Sequence, residues 1–187
     1  MASRHPTFLD ISARPDLRLR KIHGGDGYAL MRIVDENRTH LEPQVWTHAI
    51  RTAADAERYV RQNTVHMEYG NDFLQYRVLE GRPPAFPRMV GTVTLHSYDS
   101  ELRQAFLGYW LTEDVTGKGY ASASSRRLIE YGKEVWDLQR LHMSIAPDNI
   151  PSQTLAKALG AHVTDEWTTE VLADNSERLM QVWSMPV

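Results

Sequence analysis

The chain has 187 residues, no cysteine and a formal net charge of −3, from 21 Lys and Arg against 24 Asp and Glu. Its length favours a single domain, residues 1–187, that buries roughly 70% of the surface of the unfolded chain. The charge balance gives no general basic field for nucleic acid or an anionic membrane, and the lack of cysteine excludes disulfides, thiolate zinc sites and a cysteine nucleophile.

The amino-terminal segment MASRHPTFLDISARPDL lacks the apolar core of a secretory signal. No run approaches the roughly 20 apolar residues that a membrane span needs. With 42% hydrophobic and 24% charged residues, the composition is ordinary for a globular protein. These features predict a soluble, cytoplasmic protein without nucleic-acid or membrane partners.

The first part of the chain predicts one strand followed by two helices. Residues 17–22, LRLRKI, alternate apolar and basic side chains as a half-buried strand does. Asp26 is placed as the N-cap of a helix over residues 26–41, which stops before Pro43. A second helix is predicted over residues 52–66, where apolar residues recur at helical spacing.

Three strands are predicted next, over residues 73–79, 88–98 and 104–112. The links between them, EGRPPAFP and DSE, are short and rich in turn-forming residues. Short links join antiparallel neighbours, so these three strands are expected to form a meander.

A glycine turn and a helix follow in LTEDVTGKGYASASSRRLIEYGKEVW, residues 111–136. The helix is predicted over residues 120–136. Its apolar residues recur at helical spacing, which places on the buried face Leu128, Ile129, Tyr131 and Val135.

The last part of the chain predicts a strand over residues 140–147, a short helix over 148–160, a strand over 161–167 and a closing strand over 178–185. The predicted order is thus β, α, α, β, β, β, α, β, α, β, β. This order is typical of a mixed α/β sheet with helices packed on it, and not of regular βαβ repeats.

The glycine turn is suited to an anion, because unpaired backbone N–H groups and the helix dipole converge where a strand end meets a helix start. Lys118 adds a positive charge. A P-loop does not fit, since that motif needs Gly and Ser or Thr at positions that hold Thr112 and Gly119.

A dinucleotide-binding fingerprint fits the turn more closely but not fully. Gly117 and Gly119 match, whereas Ser122 stands where a third Gly or Ala is needed. Asp137 lies at the right distance but precedes its strand, and the upstream strands form an antiparallel meander. An ordinary turn without a ligand is the remaining alternative.

Two segments, LGYWLTEDVTGKGYASASSRRLIEYG and RLHMSIAPDNIPSQTLAKALGA, resemble the GNAT superfamily of N-acetyltransferases, in the ribosomal-protein (RimJ/RimL-type) branch. That branch shows an L-G-Y-W-L strand, a Q-G-K-G-Y-A turn and an N-x-x-S helix ending in L-G-F. The resemblance is specific mainly between Gly108 and Gly160. It implies a single-domain α/β fold with a mixed, largely antiparallel central sheet, flanking helices and a V-shaped opening between two central strands.

The resemblance implies that coenzyme A is bound at the turn, where backbone N–H groups hold its pyrophosphate: Gly117, Lys118, Gly119, Tyr120, Ala121 and Ser122. The Gln or Arg usual at the first motif position is replaced by Thr116. The pantetheine arm is expected in the V-shaped opening, along the backbone of Trp110, Leu111 and Thr112. An amide near Trp110 is expected to donate to the thioester oxygen, and the aromatic side chains of this strand are assigned to the core.

By the same resemblance, Asn149 hydrogen-bonds the pantetheine arm, and Ser152 lies on the same helix face. Many GNAT enzymes place a general-acid Tyr at the position of Ala156, which cannot supply a proton. Protonation of the departing thiolate is therefore assigned to Ser152, with a helix-capping serine as the alternative.

A base must take a proton from the attacking amine. The segment TEVLADN, residues 169–175, resembles the one that carries the base in the ribosomal-protein branch, which points to Glu170. An exposed hairpin glutamate is the alternative, and His96 or an ordered water are the other base candidates. The histidines lack metal-binding spacing, so no metal is expected.

The two early helices are expected to form the acceptor wall, with Arg38, Glu42, Trp46 and Tyr59. The implied function is transfer of acetyl from acetyl-CoA to a primary amine, either a protein or peptide N-terminus or a small amine, by direct attack in a ternary complex. A catalytically inactive acyl-CoA-binding regulatory protein and an interaction domain without a cofactor are alternatives. Relatives are often dimers, which leaves a homodimer open.

Overall fold

The computed structural model describes residues 5–12, 14–81, 87–172 and 174–187. The strands are β1 (Phe8–Asp10), β2 (Leu17–Lys21), β3 (Leu74–Glu80), β4 (Arg88–Asp99), β5 (Gln104–Leu111), β6 (Arg140–Ile145), β7 (His162–Val171) and β8 (Glu177–Pro186). The α-helices are α1 (Gly27–Glu36), α2 (Arg38–Leu41), α3 (Ala53–Tyr69), α4 (Tyr120–Trp136) and α5 (Ile150–Leu159). Most of the link between β3 and β4, residues 82–86, lies outside the described residues.

The described strands form one sheet in the order β1-β2-β3-β4-β5-β6-β8-β7. Neighbours are antiparallel except for β5 and β6, which are parallel. The predicted meander is confirmed, with Tyr76 opposite Val93 and Val93 opposite Tyr109. The predicted mixed, largely antiparallel sheet with flanking helices is also confirmed.

The helices cover opposite faces of the sheet. On β3, the Tyr76 ring lies 6.0 Å from the ring of Tyr131 on α4. The preceding residue, Gln75, accepts a hydrogen bond of 3.2 Å from Asn63 on α3. Successive strand residues point to opposite faces, so we refer to the α4 face and the α3 face of the sheet.

Strands β5 and β6 run side by side only at their first residues. Three pairs join them, and the last is Phe106 with His142. Strand β5 then continues to Leu111 beside β4, and β6 continues to Ile145 beside β8. The predicted V-shaped opening is therefore confirmed, and we call the gap beyond Phe106 and His142 the cleft.

The helix predicted over residues 26–41 is wrong as one continuous element. Asn37 separates α1 from α2, and its side-chain Nδ2 donates to the carbonyl of Ile33 at 2.9 Å. Asp26 precedes α1 as predicted, yet its carboxylate accepts no hydrogen bond from the N–H groups of α1. That carboxylate instead accepts hydrogen bonds from Arg20 and Arg77.

Two other differences concern packing and extent. Val135 was expected on the buried face of α4 but is 40% exposed, because Trp136 takes the buried place at this helix end and stacks on Tyr98 at 4.6 Å. The short strand β1 was not predicted, and β7 extends four residues beyond the predicted end at Trp167. The buried positions of the other three predicted residues of α4 are confirmed.

A completely buried cation lies beneath α1 and α3. Arg77 of β3 places Nε 3.3 Å from a carboxylate oxygen of Asp26, and its Nη1 donates to the hydroxyl of Thr92 at 2.8 Å. Asp26 also accepts from the backbone N–H of His23 at 2.9 Å. Burial lowers the pKa of Arg77, and the charge of Asp26 opposes that shift. The Asp26 carboxylate therefore joins β2 and β3 to the start of α1.

Within the described ranges, no helix combines the length and the apolar character that crossing a membrane requires. The same residues bring no three His, Asp or Glu side chains together in a way that could hold a metal ion.

Candidate active site

The glycine turn joins β5 to α4 and leaves the start of the helix open. Gly117 and Gly119 both have φ of +77°, a left-handed conformation that side chains other than glycine rarely adopt. Gly119 is the N-cap of α4 and provides no side-chain cap. The N–H groups of the first helical turn have no partner within a helix, so this end of α4 offers backbone donors and the positive end of the helix dipole.

Some of the predicted phosphate-binding groups are already engaged within the turn. The N–H of Lys118 donates to the carbonyl of Val115 at 3.3 Å. The hydroxyl of Thr116, where the family has Gln or Arg, lies 3.4 Å from the carbonyl of Thr112. The other predicted amides include those of the first turn of α4, at Tyr120, Ala121 and Ser122, which have no acceptor within the helix.

Arg14, which was not among the predicted site residues, supports the turn from a segment far away in sequence. Its Nη1 donates to the carbonyl of Lys118 at 2.9 Å, and its guanidinium lies 4.7 Å from the centre of the Tyr120 ring. Asp16 holds the same guanidinium through two hydrogen bonds of 3.0 and 2.8 Å. The two residues are 104 positions apart in sequence, so no local sequence motif indicates this contact.

The Tyr120 side chain joins the glycine turn to the sheet. Its hydroxyl donates to a carboxylate oxygen of Glu80 at 2.5 Å, and this hydrogen bond is the main reason why the pKa of Tyr120 is raised to about 12. Arg88 bridges Glu80 and Asp114 through two contacts of 2.7 Å. Asp114 in turn accepts from the hydroxyl of Thr112 at 2.7 Å. The start of α4 is thereby tied to β3 and β4.

The backbone of β5 presents alternate residues to the cleft. The N–H of Thr112 donates to the carbonyl of Val90 at 2.8 Å, and the register continues with Leu111 opposite Gly91 and Trp110 opposite Thr92. Hydrogen-bonded and non-hydrogen-bonded pairs alternate in antiparallel strands, so Trp110 exchanges its bonds with β4. The N–H and C=O groups of Tyr109 and Leu111 point the other way, into the cleft.

One of these cleft-facing groups has a partner that the sequence analysis missed. The Nε2 of His40, on α2, lies 3.2 Å from the carbonyl oxygen of Leu111. The Trp110 amide is used by β4, so an oxyanion donor in this strand would be the N–H of Tyr109 or Leu111.

Two hydroxyl groups meet at the cleft on the α4 face. The side chain of Asn149 caps α5 by accepting from the N–H of Ser152 at 3.1 Å. The Ser152 hydroxyl lies 3.1 Å from the hydroxyl of Tyr109. Burial raises the pKa of Tyr109, and the hydrogen bond with Ser152 partly opposes the shift. The structure thus brings Asn149 and Ser152 together as expected and adds the Tyr109 side chain, which was assigned to the core.

Three aromatic side chains pack together on the α3 face, and we call Trp46, Tyr59 and Trp110 the aromatic wall. Trp46 stacks on Tyr59 at 5.4 Å and lies 5.2 Å from the ring of Trp110. Of the other residues predicted for the acceptor wall, Arg38 pairs with Asp35 at 2.6 Å and donates to the carbonyl of Ile50 at 3.3 Å. The backbone carbonyl of Glu42 lies 3.0 Å from Nε2 of His48. This contact joins two residues of the segment between α1 and α3.

His96 lies at the start of the cleft on the α3 face. Its ring stacks on Phe106 at 5.8 Å, and a Cβ placed on Gly108 would lie 3.8 Å from its Nε2. Burial lowers the pKa of His96, which keeps the ring neutral and able to accept a proton at neutral pH.

Glu170 lies farther out, on the hairpin of β7 and β8. Its carboxylate accepts from Nε of Arg178 at 3.2 Å, and Nη2 of Arg178 also donates to the carbonyl of Pro43 at 3.2 Å. Thr168, two positions earlier on β7, contacts the hydroxyl of Ser144 on β6 at 3.1 Å. Because residues two apart share a face, Glu170 is on the α3 face with His96.

The two faces of the cleft therefore carry different chemistry. Proton acceptors and aromatic rings lie on the α3 face, whereas the hydroxyls of Tyr109 and Ser152 lie on the α4 face. A carbonyl carbon held between the faces could be attacked from the first and could release its leaving group towards the second. This arrangement suits an acyl transfer that needs a base and an acid on opposite sides.

Comparison with known proteins identifies the family. The family described as Acetyltransferase (GNAT) domain matches residues 16–162. YdaF of Bacillus subtilis (strain 168) is 24% identical over 144 residues, which are 77% of this chain and 76% of YdaF.

Two solved structures share the fold. The microcin C7 self-immunity acetyltransferase MccE, in complex with acetyl-CoA and AMP, is 18% identical with a TM-score of 0.84 over 100% of both chains. RimL, the ribosomal L7/L12 alpha-N-protein acetyltransferase, in complex with coenzyme A, is 18% identical with a TM-score of 0.81 over 96% of this chain and 98% of its own. Because the family match spans the glycine turn, the cleft and α5, the chain belongs to the GNAT acetyltransferases.

Proposed function

We propose that this protein is an acetyl-CoA-dependent N-acetyltransferase that moves an acetyl group to a primary amine by direct attack in a ternary complex. The observation that carries the proposal is the cleft itself. It opens between β5 and β6, has outward backbone donors at one end, and separates proton acceptors from proton donors. Family membership supports the same reaction.

The residues of the chain fit coenzyme A. The open first turn of α4 would hold the pyrophosphate, since two left-handed glycines place no side chain of their own in front of its N–H groups and the guanidinium of Arg14 lies close to Gly119. The cleft-facing N–H and C=O groups of Tyr109 and the N–H of Leu111 would pair with the amides of the pantetheine arm, since the carbonyl of Leu111 already contacts His40. When bound, acetyl-CoA supplies the activated thioester.

The protein would then position groups and move protons. A base on the α3 face takes the proton of the attacking amine, and a cleft-facing N–H of β5 stabilises the charge that develops on the acyl oxygen. Ser152 supplies a proton on the α4 face. The aromatic wall of Trp46, Tyr59 and Trp110 would enclose the acceptor and exclude water.

A thiol-release assay tests this function. Purified protein is mixed with acetyl-CoA and a panel of amines that includes peptides with free N-termini, amino acids and aminoacyl nucleotides, and free thiol is measured over time. An enzyme releases thiol with at least one acceptor class. A catalytically inactive regulatory protein of the same fold, which the departures at Thr116 and Ala156 would permit, binds coenzyme A in calorimetry and releases none.

Two proposed acceptor classes are supported by different relatives. The RimL name specifies an alpha-N-protein acetyltransferase, and the MccE complex contains AMP. The aromatic wall could stack on either a peptide side chain or a base. We therefore expect thiol release with peptides, with aminoacyl nucleotides, or with both. No thiol should be released from acetyl-CoA in blanks that lack an amine acceptor.

Glu170→Gln tests the base assignment. If Glu170 takes the amine proton, the substitution lowers kcat about 100-fold, because an amide cannot accept that proton, and leaves the Kd of coenzyme A unchanged. The amide oxygen keeps an acceptor for Arg178, so the hairpin should remain folded. Steady-state rates and calorimetry check both values.

Glu177→Gln is the matched control, since it changes an exposed glutamate at the start of β8. Wild-type turnover in Glu170→Gln, together with a large loss in His96→Gln, would move the base to the ring that lies next to Gly108.

Arg14→Ala tests the support of the glycine turn. It removes a hydrogen bond to Lys118 and the cation–π contact with Tyr120, and we expect the Kd of coenzyme A to rise roughly tenfold. Arg18→Ala is the control, because Arg18 makes an equivalent pair of contacts with Asp10 and Phe8 on β1. Equal Kd values for the two variants in calorimetry would show that Arg14 does not support the site.

A further inference from the structure

We propose that Tyr109 and Ser152 act as one proton-donating unit, in which the Tyr109 phenol passes its proton to Ser152 as Ser152 protonates the departing sulfur. This inference rests on the proposed acetyl transfer. The observation behind it is the 3.1 Å contact of the two hydroxyl oxygens at the cleft, between residues 43 positions apart in sequence.

Local structure holds the two hydroxyls in place. Tyr109 is on β5, three residues beyond the last pair with β6, so its side chain lies where the two strands have separated. Ser152 is in the first turn of α5, where Asn149 accepts its N–H at 3.1 Å. A strand and a capped helix start thus approach each other from opposite sides of the cleft.

The direction of the hydrogen bond follows from acidity. A phenol is a stronger acid than an aliphatic alcohol, so the favoured arrangement has the Tyr109 O–H donating to Ser152 Oγ. The Ser152 hydrogen is then directed away from Tyr109 and is available in the cleft. Burial raises the pKa of Tyr109, which keeps the phenol protonated at neutral pH.

The proton balance is complete without a further reagent. As the carbon–sulfur bond breaks, its electron pair stays on sulfur, which takes the Ser152 proton. Ser152 Oγ takes the Tyr109 proton, and the resulting phenolate regains one from solvent, to which the base releases the proton that it took from the amine. Tyr109 acts through Ser152 and is in this sense a positioning residue.

The same contact accounts for a departure from the family pattern. The helix position that carries a general-acid Tyr in many members is Ala156 here, and Ala156 is completely buried. The phenol of Tyr109 nevertheless reaches the first turn of α5, because Tyr109 lies on β5, across the cleft from that helix.

A double-mutant cycle tests whether the two residues form a unit. Tyr109→Phe, Ser152→Ala and the double variant are compared in kcat, in the KM for acetyl-CoA and in thermal stability. We expect each single change to lower kcat roughly 30-fold with KM changed less than twofold, and the double variant to be no slower than the slower single variant. If the two losses in kcat instead multiply in the double variant, the two residues act independently and the proposal is overturned.

Tyr98→Phe is the matched control. Tyr98 also donates its hydroxyl, to the backbone carbonyl of Trp136, but on β4 at the far end of the α4 helix. It should keep wild-type kcat, so a loss in Tyr109→Phe alone cannot be attributed to removing any strand tyrosine hydroxyl.

A second measurement needs no turnover. The thiolate absorbance of coenzyme A bound to the protein is followed in a pH titration, since a hydroxyl that donates to the sulfur stabilises the thiolate. We expect Tyr109→Phe to raise the pKa of the bound thiol by about one unit, and Tyr98→Phe to leave it unchanged. The same thiol pKa in wild type and Tyr109→Phe overturns the proposal.

The two tests separate this inference from the proposed function. Absence of thiol release by the wild-type protein with every acceptor would refute the acetyl transfer, whereas the titration with bound coenzyme A would still report on the hydroxyl pair. Normal turnover by the wild-type protein, together with the same thiol pKa in wild type and Tyr109→Phe, would refute only the proposed proton-donating unit of Tyr109 and Ser152.

Discussion

Gly119→Val is expected to weaken coenzyme A binding about 1000-fold while the protein remains folded. Gly119 has φ of +77° at the N-cap of α4, and a β-branched residue there would force the turn into another conformation. The first-turn N–H groups would then no longer converge on one anion. Losing two charge-assisted hydrogen bonds accounts for most of the expected change. Calorimetric titration with coenzyme A measures the Kd.

Gly160→Val provides a control with similar backbone strain. Gly160 has φ of +102° at the end of α5, and a Cβ there would meet no atom within 4 Å. Both variants should lose comparable thermal stability, but only Gly119→Val should lose the cofactor. Equal Kd values in the two variants would refute the assignment of the turn to coenzyme A.

Asp26→Ala is expected to lower the free energy of unfolding by about 3–5 kcal/mol. The substitution leaves Arg77 completely buried without its counter-charge, and also removes an acceptor from Arg20. A buried charge without a partner costs far more than the loss of an exposed ion pair. Urea denaturation measures the change.

Two comparisons sharpen this prediction. Asp10→Ala breaks an exposed ion pair with Arg18, and it should cost no more than about 1 kcal/mol. Adding Arg77→Met to Asp26→Ala should recover part of the stability, because the double change removes the isolated charge. If Asp26→Ala were as stable as Asp10→Ala, the buried pair would not be what joins β2 and β3 to α1.

The sheet could be predicted because its strands carry alternating or continuous apolar patterns between short turn-rich links. The break of the first helix could not, since Asn37 is compatible with a helix and separates α1 from α2 through a side-chain bond to Ile33. Strand β1 has three residues, which is too few for a periodic pattern. Val135 was misplaced because periodicity does not show which of two adjacent apolar residues, Val135 or Trp136, is buried at the end of a helix.

The glycine turn between β5 and α4 could be predicted because its residues are consecutive in sequence and two of them are glycines with positive φ, whereas its binding of coenzyme A stays a prediction. The hydroxyl pair was not, because Tyr109 and Ser152 meet only after β5 and β6 separate. Arg14 was missed for the same reason, since it reaches Lys118 from a distant segment. The pairing of Glu170 with Arg178 could have been anticipated, because residues of opposite charge on a hairpin often face each other across the strands.

Consecutive residues of β5 face different partners, with Tyr109 at the hydroxyl pair and Trp110 at the aromatic wall. If the aromatic wall encloses the acceptor as proposed, a substitution at Trp46 or Tyr59 would alter which amine is admitted without changing the Tyr109–Ser152 pair. Selection for a new acceptor would act on one side of a single strand, while the opposite side keeps the donor chemistry intact. Libraries confined to Trp46 and Tyr59 should thus change substrate choice and preserve coenzyme A affinity, whereas Trp110 belongs to the buried core as predicted and is best left unchanged.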